Sequence, residues 1–295
     1  MQLEYIPAKT IVTRTKSTEW FGAQYNMNIY RGCNHGCIYS DSRSACYQIA
    51  DFDRVRAKAN ALSIIHSELQ RKRRKGVIAT GAMSDPYNPV ERELELTRSG
   101  LALVERFRFG LAVATKSDLV ARDTDMLRAI QAHAPVIVKI SITTRDDELA
   151  QKIEPGAPSP TRRFQALRAL SEKGIFAGIL LMPVLPFLTD SPDNLQSIVK
   201  KAAESGARFI YPWFGMTIRE GQREHYYQKL GQNFPGLAAR YARRYGNRYD
   251  CPAPRAGDLW RLFKAECDRV GLLYEMRDII ETYQGGFGAK QLRLF

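Results

Sequence analysis

The 295-residue chain has little cysteine, five in all, an odd number that leaves no complete disulfide framework. It also has no uninterrupted apolar run near the ~20 residues that a membrane-spanning helix needs. The first residues, Met1-Gln2-Leu3-Glu4-Tyr5-Ile6-Pro7, lack the charged and apolar regions of a secretory leader. No internal repeat and no low-complexity stretch is visible. The expectation is a cytoplasmic protein with no membrane association, whose cysteines stay reduced. Hydrophobic residues make up 44% of the chain, enough for a substantial core.

Acidic residues are in deficit, 31 against 44 lysines and arginines, for a formal net charge of +13. That excess favours an anionic partner. Part of it is local: Arg71-Lys72-Arg73-Arg74-Lys75 is one run, and Arg240, Arg243, Arg244 and Arg248 interleave with Tyr241, Tyr245 and Tyr249. Arginines among aromatic rings suit phosphates and stacked bases, so a nucleic acid or nucleotide is one expected partner. The first run reads equally as the solvated C-terminal end of a helix.

Short apolar runs alternate with amphipathic stretches. Strands are expected at Tyr25–Tyr30, Val77–Thr80, Leu111–Ala114, Val136–Ile142, Phe176–Met182 and Phe209–Trp213. Helices are expected at Asp53–Arg74, Glu91–Phe107, Asp118–Ala132 (capped by Ser117 or Asp118), Arg162–Lys173 and Asp193–Ser205. Strands joined by crossover helices imply a parallel sheet. About six such units predict an α/β fold, a partial (β/α)6 barrel with a mainly helical C-terminal extension. The expected divisions are an N-terminal segment 1–23, the barrel 24–215 and the extension 216–295. Ligands of such sheets gather at the carboxyl ends of the strands.

Two of the five cysteines sit in one short loop, Cys33-Asn34-His35-Gly36-Cys37-Ile38-Tyr39-Ser40. Clustered thiolates are iron-sulfur ligands, and a Cys-x3-Cys-x2-Cys loop can wrap a cubane; here the third position holds Ser40. Two cysteines alone also fit a zinc half-site, with His35 and Cys46 as the nearest further donors, or plain core thiols.

Further motifs follow in order: Tyr30-Arg31-Gly32, Thr80-Gly81, Ser84-Asp85-Pro86-Tyr87, Thr115-Lys116-Ser117, Ser141, and Glu154-Pro155-Gly156 with Arg162-Arg163. Together with the cysteine loop, this series resembles the radical S-adenosylmethionine (SAM) superfamily, and within it the spore photoproduct lyase-like group. The resemblance runs from about Tyr30 to Pro186. It implies an enzyme that reductively cleaves SAM at a 4Fe-4S cluster to a 5′-deoxyadenosyl radical, fed by a donor such as flavodoxin or ferredoxin. It further implies Cys33, Cys37 and position 40 as cluster ligands, and Gly81, Ser84, Lys116 and Ser141 at SAM, with Lys116 on its carboxylate. Tyr39 corresponds to a tyrosine implicated in radical relay, or else shields the cluster. Glu154 is expected to orient Arg162.

Two departures bear on activity. Met83 stands where the lyase carries a hydrogen-donating cysteine, so the same route would need Cys46, Cys251 or Cys267. Ser40 is a hard, weakly acidic ligand in a thiolate position. It is read as an introduced or rare substitution, as the mark of a lost cluster, or as compensated by Cys46. The alternative to an enzyme is accordingly a non-catalytic protein that still binds SAM or nucleic acid.

Overall fold

In the computed structural model, which describes residues 4–287, six strands run parallel as expected. The chain opens with β1 (Glu4–Ile6), β2 (Val12–Arg14), β3 (Tyr25–Met27), β4 (Tyr30–Arg31), β5 (Arg56–Lys58) and α1 (Ala61–Arg71). It continues with β6 (Val77–Thr80), α2 (Glu91–Leu94), α3 (Leu96–Arg106), β7 (Gly110–Thr115), α4 (Thr124–Gln131) and β8 (Val136–Ser141). Next come α5 (Asp147–Ile153), α6 (Pro160–Glu172), β9 (Ala177–Leu181), α7 (Pro192–Glu204) and β10 (Ile210–Pro212). The last elements are β11 (Gly215–Thr217), α8 (Gln222–Asn233), α9 (Leu237–Tyr245), β12 (Asp250–Pro252), α10 (Ala256–Val270) and α11 (Met276–Gln284). The main sheet has the order β10-β9-β8-β7-β6-β3-β2; every neighbouring pair is parallel except the edge pair β2-β3.

Alternation along the strands separates two cores. On β8, Val136, Val138 and Ile140 pack outward with helix residues such as Leu167 and Ile198, while Ile137, Lys139 and Ser141 face inward. The inner bottom of the barrel is filled by Phe21, Ile137, Phe209, Ile279 and Tyr283, so α11 closes that end as a plug. Higher up, the inward positions Ala79, Ala114 and Ser141 are small and border open space, whereas the Phe209 ring packs over Gly178.

Four expected elements differ in detail. The expected helix from Asp53 begins only at Ala61, because Arg56–Lys58 pairs with β1 and β4 in a separate three-stranded sheet and Asn60 turns the chain at φ 54°. The expected strand to Tyr30 stops at Met27, and Tyr30–Arg31 joins that small sheet. The helix over Glu91–Phe107 breaks at Glu95 (φ 50°), where the buried Glu91 carboxylate accepts from the Thr97 amide and takes over the role of a cap. The segment from Asp118 starts as a 3-10 turn, with the Ser117 hydroxyl accepting from the Leu119 amide as its cap.

The basic runs have packing roles. The helix ends at Arg71, and Lys72 and Lys75 lie over the rings of Tyr25 and Phe109 at 4.9 and 4.6 Å. Tyr241 and Tyr245 are buried, Tyr241 bonding the Pro186 carbonyl at 2.7 Å, so they cannot stack bases; Tyr249 remains exposed. Their periodicity is that of a core face of α9.

The plug is anchored by the Tyr283 hydroxyl, which donates to the Phe21 carbonyl. Tyr283→Phe leaves that buried carbonyl unpaired and is expected to cost about 1–3 kcal/mol, read as a lower midpoint in denaturant unfolding at unchanged slope.

Candidate functional site

Gly81 and Ser84 follow β6, Lys116 follows β7 and Ser141 ends β8, so the carboxyl ends of three adjacent strands face the loop that leaves β4 with Cys33, Cys37, Tyr39 and Ser40. All eight residues line one cavity of about 400 Å³. Thr80, Met83, Asp85 and Met182 share its wall, and Trp20 and Trp213, 46% and 38% exposed, stand at it as aromatic surfaces.

The cysteine loop is fixed from below by the Glu154-Pro155-Gly156 turn. The Gly156 amide donates to the His35 carbonyl at 2.8 Å and the Ile38 amide to the Ile153 carbonyl at 3.0 Å. A Cβ on Gly156 would fall 2.4 Å from the Asn34 carbonyl oxygen, which is why this turn carries glycine. Glu154 is buried and ion-pairs with Arg163 at 2.5 Å. Arg162, the partner expected from sequence, instead reaches outward to Asp118. Arg163 also donates to the Ser141 carbonyl at 3.0 Å and the Pro158 carbonyl at 2.8 Å, tying the loop to the end of β8. Burial pushes the Glu154 carboxyl up, but Arg163 and Lys116 outweigh it and hold the group below its ordinary value.

Tyr39 is buried, its hydroxyl donating to Glu154 and its carbonyl accepting from Gln222 at 2.9 Å. Burial and the Glu154 charge raise the phenol well above its ordinary value, so it stays protonated. The Lys116 ammonium lies 5.6 Å from the centre of the Tyr39 ring. Burial opposes its charge, but Cys37 and Glu154 more than compensate.

A second group holds the other end of the loop. Asp85 accepts from the Tyr87 amide at 2.9 Å, the Thr115 hydroxyl at 2.6 Å and the Lys116 amide at 2.7 Å, and its other neighbour is His35 at 3.4 Å. Burial alone would raise this carboxyl; His35 and the hydrogen bonds bring it down to about 2. Asp85 is therefore a fixed anion linking β6, β7 and the cysteine loop. Burial likewise opposes a Cys33 thiolate, and the His35 hydrogen bond reverses this, leaving Cys33 below the ordinary thiol value. The Cys37 thiol, more deeply buried, is pushed up to about 12, against the opposing pull of Lys116.

The remaining expected residues sort as follows. The Ser84 hydroxyl donates to the Gly32 carbonyl, so its proton is committed to the loop entrance and only its oxygen is left to accept. Gly81, at φ +98°, lies where a Cβ would fall 1.9 Å from the Ala114 carbonyl oxygen; the close approach it permits is to the neighbouring strand. Ser40 precedes a 3-10 turn without capping it by its side chain, which leaves the hydroxyl on the cavity wall. Cys46 is exposed and accepts from Arg219 at 3.3 Å, off the cavity wall, so it is not positioned to replace position 40. Cys251 and Cys267 pack in the apolar cores. Among the described residues no cluster of three or more His, Cys, Asp or Glu side chains can hold a metal, which leaves the zinc reading without a ligand set.

The donor set offered to a cluster is thus two thiols, one activated by His35, plus one hydroxyl. The side of the cavity formed by Lys116, Ser141 and Ser84 fits SAM: a cation for a carboxylate, and hydroxyl oxygens for polar groups. From sequence, His35 is a candidate only as a zinc donor, and Asp85 and Arg163 stand in the motifs without a role; the structure makes all three supports of the cysteine loop.

Glu154→Gln leaves Arg163 and Lys116 without their shared anion and is expected to destabilise the fold by about 3–5 kcal/mol, measured by denaturant unfolding. A change below 1 kcal/mol would show that the ion pair does not hold the loop.

Comparison with known proteins agrees with this geometry. The model of the family described as Radical SAM superfamily matches residues 27–199. An uncharacterised protein of Methanocaldococcus jannaschii is 34% identical over 233 residues, covering 78% of this chain and 83% of its own length. An uncharacterised protein of Mycobacterium tuberculosis is 30% identical over 229 residues, covering 75% and 67%. Among solved structures, spore photoproduct lyase complexed with dinucleoside spore photoproduct superimposes with a TM-score of 0.66 at 16% identity, over 91% of this chain and 79% of the lyase. The radical SAM methyltransferase TsrM of Kitasatospora setae gives 0.53 at 15% identity, over 80% and 51%. With more than half of its length matched by the family model and its strand ends converging on the cysteine loop, this chain belongs to the Radical SAM superfamily.

Proposed function

We propose that the chain is a radical SAM enzyme of the spore photoproduct lyase-like group, with Cys33, Cys37 and position 40 as the cluster-binding positions. The observation that carries this reading is the convergence of those three positions with Gly81, Ser84, Lys116 and Ser141 on one cavity. When bound, the 4Fe-4S cluster supplies the electron that cleaves SAM to a 5′-deoxyadenosyl radical able to abstract hydrogen from a substrate. Lys116 neutralises the SAM carboxylate, Ser141 takes a polar group of the nucleoside part, and Ser84 accepts a hydrogen bond while keeping the loop entrance closed on Gly32. His35 keeps Cys33 in its ligating form. The Tyr39 hydroxyl donates a hydrogen bond to the Glu154 carboxylate, the proton acceptor that a relay tyrosine requires for losing an electron and a proton together.

The substrate class supported best is a nucleic acid or nucleotide. Trp20 and Trp213 offer exposed ring faces beside the cavity, and the net charge of +13 draws polyanions. The structurally similar lyase holds a dinucleoside photoproduct. Met83 lines the cavity, whereas Cys46, Cys251 and Cys267 do not; the thiols on its wall among the described residues are Cys33 and Cys37, assigned here to the cluster, so no separate donor cysteine like that of the lyase stands in it. The same positive charge suits an acidic electron donor of the flavodoxin or ferredoxin type.

Ser40 supports a second reading, a protein that binds SAM or nucleic acid without turnover. Anaerobic reconstitution of the chain beside Ser40→Cys separates them. Ser40→Cys is expected to hold more iron and to form 5′-deoxyadenosine at least about tenfold faster with SAM and dithionite, since a thiolate replaces a harder ligand. Equal iron and equal cleavage would remove position 40 from the ligand set; no cleavage by either protein would favour the non-catalytic reading.

A further inference from the structure

Lys139 occupies the middle of β8, in register with Ala114 of β7 and Gly178 of β9, two inward positions with almost no side chain. Its own side chain points into the barrel and is 1% exposed, yet lines the cavity together with Trp20, Asn26 and Leu180. The ammonium lies 4.4 Å from the centre of the Phe21 ring. Among the described residues no carboxylate pairs with it. The titratable groups of the cavity (Cys33, His35, Cys37, Tyr39, Asp41, Asp85 and Lys116) and of α11, which packs against β8 (Arg277, Asp278, Glu281 and Tyr283), exert no resolved influence on it.

The contrast with Lys116 is informative. Lys116 is as deeply buried but sits beside the ionised Glu154 and Asp85 carboxylates, which sustain its charge. Lys139 has only a ring face, and burial brings its amine down to about 7. An isolated interior cation is strongly disfavoured, and one aromatic contact worth about 2 kcal/mol does not offset that. A methionine would fill the same volume without the charge. The lysine has an unmet need for a counter-ion on the one side that is open, the cavity.

We infer that Lys139 binds an anionic group, carboxylate or phosphate, of the molecule that occupies the inner end of the cavity, so that the substrate carries an acidic group. This rests on the reading of the cavity as the reaction chamber. Lys139 lies two residues deeper on β8 than Ser141, away from the cysteine loop, so its anion is distinct from the SAM carboxylate assigned to Lys116. The flanking Ala114, with Ala79, keeps this part of the cavity wall short and makes room for the group, while Phe209 packs over Gly178 on the other side; Trp20 provides a face for an adjoining planar ring.

The test uses the full chain as purified, without iron or SAM, so that failure of cluster assembly does not affect it. Thermal unfolding midpoints of the parent protein, Lys139→Met and Lys139→Gln are measured with inorganic phosphate or acetate against chloride of equal ionic strength, at pH 6 and pH 9. At pH 6, below the value of the amine, at least one anion is expected to raise the parent midpoint by about 2 °C or more beyond the rise in either variant. At pH 9 the amine is neutral and the extra rise should vanish. A phosphate-selective shift identifies a phosphorylated substrate, an acetate-selective shift a carboxylic acid. Equal shifts in parent and variants at pH 6, or an extra shift that persists at pH 9, would overturn the assignment.

Discussion

The Glu154–Arg163 ion pair is the contact on which the site depends. Two buried charges are costly to desolvate, and such a pair is stabilising only when its remaining hydrogen-bonding capacity is used. Here most of it is: Arg163 donates through Nε to the Pro158 carbonyl and through Nη1 to the Ser141 carbonyl, its Nη2 is held by charge alone against Glu154, and Glu154 accepts from Tyr39. Through these bonds one ion pair fixes the end of β8, the turn under the cysteine loop and the ring beside Lys116. An apolar pair of equal volume would pack as well, but would not specify where Tyr39 and Lys116 point.

The barrel interior is graded from filled to open. Phe21, Phe209 and Tyr283 of α11 fill its lower end, and Ala79 and Ala114 hold back above them. The space that results is walled by strand ends and by a loop whose own geometry is fixed, so its shape is set before any ligand arrives. Within it the two lysines differ by environment alone: Lys116 is charged because anions surround it, and Lys139 is poised because none does.

The parallel sheet was legible in the sequence because strands buried on both faces read as apolar runs, and Val77–Thr80 and Val136–Ser141 match their expected extents to within a residue. Ends of helices were less legible. The carboxylate of Glu91, which interrupts α2 and α3, acts through tertiary geometry that periodicity does not carry. The cysteine loop, Lys116 and Ser141 were readable as motifs. Their supports were not: Asp85 joins three elements, Arg163 rather than Arg162 faces inward, and Lys139 belongs to no motif within its strand. The tyrosines of α9 misled for the opposite reason, because a core face and a stacking platform share the same residue types.

What remains chemically distinctive is a loop that presents two thiols and a hydroxyl at the proposed cluster-binding positions. The most direct test is Mössbauer spectroscopy of protein reconstituted anaerobically with 57Fe, comparing Ser40→Cys with the same protein carrying Cys33→Ala and Cys37→Ala. Cubane-type iron is expected in the first and its loss in the second. Undiminished cubane iron after removal of both cysteines would contradict it.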